Sequence, residues 1–62
     1  MNDNQIIIEH FEGYKEYPLK VVKIEPLAEE DGNYYNVTLK NDKGVYVSMV
    51  LVQNDRLIVV PR

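Results

Sequence analysis

The sequence predicts an all-β fold, a five-stranded antiparallel meander forming a small, partly open barrel of the SH3-like or OB-like sort. Three observations point there. Residues 33–62 read as three short strands joined by two turns, and β-branched and aromatic residues fill the segments between turn formers. The middle strand is apolar on both faces, with Val45, Val47, Met49 and Leu51 on one and Tyr46, Val50 and Val52 on the other, so both faces want cover. An open sheet with one face covered by an N-terminal helix or a dimer partner is the alternative arrangement.

Residues 5–11 hold three consecutive isoleucines, whose restricted χ1 favours a strand. A helix is the competing reading, with Ile7, Phe11 and Tyr14 at i, i+4 and i+7, Asp3 as cap and Gly13 as stop. The β-branched run decides for the strand. Residues 12–17, with Tyr14 and Tyr17, read as a loop ending at Pro18. Residues 19–25 form a strand between Pro18 and Pro26, neither of which donates to a ladder, and this suits a sheet edge. Its alternation breaks between Val21 and Val22, so a bulge is expected near Val21.

Asp31 and Gly32, after the acidic Glu29 and Glu30, suit a two-residue turn that sets Ile24 against Leu39, Pro26 against Val37 and Ala28 against Tyr35. For the turn at residues 41–44, side-chain matching selects a three-residue loop with Gly44 as a left-handed bulge. Leu39 then meets Val47, Val37 meets Met49 and Tyr35 meets Leu51, giving one wholly apolar face. Asn54 and Asp55 tolerate the left-handed region and form the last turn, and residues 57–60 make a strand stopped by Pro61. Its register stays open, because both of its faces are apolar. The expected core is Ile24, Tyr35, Val37, Leu39, Val47, Met49, Leu51 and Ile58.

A chain of 62 residues, read as one domain over 1–62, buries only about 60% of its unfolded surface, so its stability margin is thin. Without Cys and with a single His, disulfide and metal staples are excluded, which leaves oligomerisation or a partner as the supplement. No apolar run reaches the length of a signal-peptide core or a membrane span, and the lack of Cys suits a reducing compartment. A soluble cytoplasmic protein is the expectation. The net charge of −3 is uneven: the first half is acidic and the second mildly basic, so the halves attract, within one molecule or between two.

No catalytic, metal or cofactor motif is present. His10 is the only imidazole and nothing orients it toward Ser48 or Thr38, and Glu9, His10 and Glu12 lack ligand spacing. Gly13, Gly32 and Gly44 are isolated, so no phosphate-cradling loop exists. The expected function is therefore a non-enzymatic protein-interaction or regulatory module that self-associates through an apolar sheet face or a strand edge. Its candidate interaction face is Tyr34, Tyr46, Val50, Val52 and Val59. A single-strand nucleic-acid binder using Tyr34, Tyr46, Lys40 and Arg56 is the alternative, opposed by the acidic charge. An acidic mimic that blocks a basic surface is the third reading.

Overall fold

The computed structural model describes residues 2–13, 16, 18–27 and 33–61. One helix, α1 (Asp3–Glu12), precedes four strands, β1 (Lys20–Pro26), β2 (Asn33–Asn41), β3 (Gly44–Gln53) and β4 (Arg56–Val59). The strands form one open antiparallel sheet in the order β1-β2-β3-β4. The expected five-stranded barrel is thus corrected to a four-stranded sheet with a helix on one face, which is the alternative arrangement.

The missing strand is the helix. Asn2, rather than Asp3, is its cap: the Asn2 side chain accepts from the Gln5 amide at 2.9 Å, and Gln5 Oε1 accepts from the Asn2 amide at 3.2 Å. This capping box satisfies two of the first-turn donors, and Asp3 complements the positive end of the helix dipole. The local β preference of the isoleucines yields because Ile6, Ile7 and Phe11 fall on one helical face and bury there. Gly13 ends the helix, its amide donating to the Glu9 carbonyl. Tyr14 and Tyr17 lie outside the described residues.

The β2–β3 hairpin closes through a two-residue turn, pairing Asn41 with Gly44, Leu39 with Tyr46, Val37 with Ser48 and Tyr35 with Val50. The expected three-residue loop is one residue off, and a one-residue slip sends every side chain to the opposite face. Asn41 supplies the physical reason: its Oδ1 accepts from the Lys43 amide at 2.8 Å and the Gly44 amide at 3.1 Å, closing the turn on itself. Val37, Leu39, Val50 and Val52 consequently join Ile6, Ile7 and Phe11 in the core, flanked by Leu19, Val21, Ile24, Tyr35 and Leu57. Val47, Met49, Leu51 and Ile58, expected inside, lie on the outer face, which the helix does not cover.

At β1 the register shifts between Val21 and Lys23, so the expected bulge is present and Val22 is the extra residue. Ile24 pairs with Val37 and Pro26 with Tyr35, two residues from the expected register but on the expected face. The turn at Asp31 and Gly32, with Ala28, lies outside the described residues. Asn54 and Asp55 take positive φ of 53° and 59°, the two-residue turn whose twist suits a hairpin. It sets Val52 against Leu57, Leu51 against Ile58 and Val50 against Val59.

Total stability for a chain this size is about 3–9 kcal/mol. Ile7→Ala, which removes a fully buried side chain from the only described helix, should cost about 2–5 kcal/mol and leave the chain marginal or unfolded in urea titration. Asn2→Ala should cost about 1 kcal/mol, read the same way.

Candidate functional site

The sheet has an apolar inner face, which the described helix covers, and an outer face that is apolar over β3 and β4. The helix is fixed on its face at both ends. Near its start, the Tyr35 hydroxyl donates to the Asp3 carboxylate; at its end, Glu12 Oε2 accepts from the Val21 amide at 2.9 Å. The first bond, then burial, then the charge of Asp3 push the Tyr35 phenol up from 10 to about 12.

On the outer face the strand pleat sets Val45, Val47, Met49 and Leu51 of β3 beside Ile58 of β4 and Tyr34 of β2. Tyr34 pairs with Leu51, and Leu51 in turn with Ile58, so an apolar row crosses three strands. Val45 is 63% exposed, and Val47 and Ile58 are each 50% exposed. Toward β1 the face turns polar, through Asn36, Thr38, Lys40, Lys20, Lys23 and Glu25, with an exposed ion pair between Lys23 and Glu25 at 3.6 Å. This is a half-apolar, half-charged surface.

Of the five residues expected to form an interaction face, Tyr46, Val50, Val52 and Val59 do share a face, but it is the helix-covered one. Val50 and Val52 are 0% and 2% exposed and belong to the core. Tyr46 and Val59 lie toward the margins of the same face and stay about half exposed, whereas Tyr34 points to the outer face. Tyr34 and Tyr46 therefore form no common stacking platform, and Lys40 and Arg56 sit on strands two apart. Of the residues that sequence reasoning assigns to the core, Val47 and Ile58 are half exposed and Met49 and Leu51 partly buried, all four on the outer face. The signal for them was present as the second apolar face of β3, with its parity reversed.

Chemistry elsewhere is sparse. His10 stacks edge-on against Phe11, ring centres 4.9 Å apart, and borders a shallow cleft with Ile6, Glu9, Asp55 and Leu57. Among the described residues no group of three His, Cys, Asp or Glu side chains could hold a metal ion, and no helix is long and apolar enough to cross a membrane. Compared with family models, curated proteins and solved structures, the chain matches none of them.

A phenol whose pKa rises on folding adds stability that is fully present below its unfolded pKa and lost as pH climbs through the folded one. Tyr35 should therefore stabilise the protein up to pH 10 and cease to do so by about pH 12. Tyr35→Phe should lower stability by about 1 kcal/mol at neutral pH, with the gap to wild type closing across that window in urea melts. A gap independent of pH would remove the Asp3 bond from the account.

Proposed function

We propose that this protein is a non-enzymatic interaction module that associates with a second copy of itself through the outer face of its sheet. The observation carrying this reading is the row of Val45, Val47, Met49, Leu51, Ile58 and Tyr34, apolar across three strands and left uncovered by the helix, with Val45, Val47 and Ile58 at least half exposed. A patch of this kind on a small soluble domain marks a contact surface. Strand formation alone does not require it, because Thr38, opposite Val47, serves a strand equally well.

A second copy is the occupant the patch fits. Strands of nine and ten residues give a face of at most about 30 by 19 Å, hence about 1,100 Å² when two are stacked. That upper limit takes in the charged half of the face; the apolar half alone gives about 550 Å², below the lower bound for a specific interface of about 1,000–1,200 Å². In an isologous stack each apolar row meets its own copy, and Lys20, Lys23, Lys40 and Glu25 stay at the rim. A chain without disulfide or metal gains from such cover what its own core is too small to supply.

Sedimentation equilibrium at micromolar concentration tests the reading. Wild type should exceed the monomer mass, and Val47→Lys, at an exposed site that leaves the fold intact, should weaken association at least tenfold. A folded wild-type monomer at all concentrations would remove self-association altogether.

A further inference from the structure

The two edges of the sheet are not alike. At β1 the edge is closed: the bulge at Val22 breaks the ladder, Pro26 has no amide to offer, Lys20 and Lys23 are exposed, and Glu12 reaches from the helix to take the Val21 amide. β4 is four residues long and begins with the exposed Arg56, but among the described residues no bulge, proline or helix side chain closes its edge. Its pairing with β3 runs without a shift from Gln53 and Arg56 to Val50 and Val59, and no proline interrupts it before Pro61.

The hydrogen bonding of β4 fixes what its free edge presents. Val60 donates its amide to the Met49 carbonyl at 2.9 Å, so along an antiparallel ladder Ile58 and Arg56 also turn their backbone groups toward β3. Leu57 and Val59 must then direct amide and carbonyl outward, away from the sheet. On the side-chain level Ile58 and Val59 are 50% and 49% exposed, one on each face of this same edge.

We infer that β4 pairs with β4 of a second copy, joining two sheets antiparallel into one of eight strands about a two-fold axis at Ile58. With the axis there, Leu57 faces Val59 of the second copy and Val59 faces its Leu57, and each pair exchanges two N–H···O bonds, four in all. Ile58 meets its own copy on the outer face. Centring the axis between residues would set an outward-turned residue against an inward-turned one and give no bonds, and centring it on Leu57 gives fewer. Centring it on Val59 would depend on Pro61, which lies beyond the strand and has no amide, so the Ile58 register is the one that makes four bonds from β4 alone. Because both β1 edges are closed, the joined sheet stops at eight strands.

The pairing deepens the proposed face contact and in this respect rests on it. Joining two sheets doubles the outer apolar face, so the apolar part of a stack of two such sheets rises from about 550 Å² to about 1,100 Å², which reaches the range of specific interfaces. Edge pairing and face stacking use perpendicular two-fold axes, and together they close a tetramer.

Amide hydrogen exchange on the wild-type protein, followed residue by residue in NMR, tests the edge directly. Leu57 and Val59 amides should be protected, and increasingly so as concentration rises; rapid exchange of both under associating conditions overturns the inference. In sedimentation, Val59→Pro removes an amide that β3 does not use and should halve the mass of the assembly with the fold retained by circular dichroism. An unchanged mass for a folded Val59→Pro variant also overturns it. If that variant fails to fold, the exchange of the wild-type amides decides alone. Val47→Lys separates the two contacts: a remaining dimer with protected Leu57 and Val59 supports the edge whatever befalls the face, and a mass unaffected by Val47→Lys counts against the face reading alone.

Discussion

The turn at Asn41 is the constraint on which the rest of the structure depends. By holding the Lys43 and Gly44 amides with one side-chain oxygen, Asn41 makes the β2–β3 loop two residues long, and loop length sets parity. From that parity follow the burial of Val37, Leu39, Val50 and Val52 and the exposure of Val45 and Val47. The helix then meets a surface already chosen. Its own contribution of Ile6, Ile7 and Phe11 is enough for one sheet face and cannot reach the other.

What was legible in the sequence, and what was not, divides along the same line. Period-two reasoning finds strands, and it found the strand content of residues 33–62, the bulge at Val22, the turn at Asn54 and Asp55, and the doubly apolar β3. It fails at parity when both faces are apolar, because homogeneous pairing no longer distinguishes core from contact surface. The observed hairpin tolerates Ser48 opposite Val37 and Tyr46 opposite Leu39, and a criterion built on matching partners rejects it. The polar side chain in the turn carried the missing information, since an Asn before a two-residue loop can bond forward to the next amides.

The helix illustrates a second limit. Three isoleucines in a row are a strand signal by intrinsic preference, but preference amounts to tenths of a kcal/mol per residue and packing to several. The Asn2 and Gln5 spacing is a capping box that competes with this signal, and it places the cap one residue before Asp3. With residues 2–12 helical, the strand count drops to four and a small barrel can no longer close, since four strands leave two edges. The candidate surface moved for the same reason: four of the five residues assigned to it share a face, but a helix that had been read as a strand lies over that face.

An open four-stranded sheet has four places where it remains incomplete: two faces and two edges. The single helix attends to two of them at once. Its apolar side covers the inner face, and Glu12 at its C-terminal end occupies an amide at the bulged β1 edge. Among the described residues the outer face and the β4 edge are what is left, and they meet at Ile58, which belongs to both. A monomer under selection for solubility alone would place polar residues at 45, 47 and 58, where the side chains are half exposed or more and the backbone asks only for strand formers. Three of the exposed apolar side chains, Val45, Val47 and Ile58, instead lie on the face the helix does not cover, while Tyr46 and Val59 lie at the margins of the covered one and Val22 at the β1 bulge. Val45, Val47, Met49, Leu51 and Ile58 thus form one contiguous apolar stretch on the face opposite the helix, and the proposed contact is argued from that continuity.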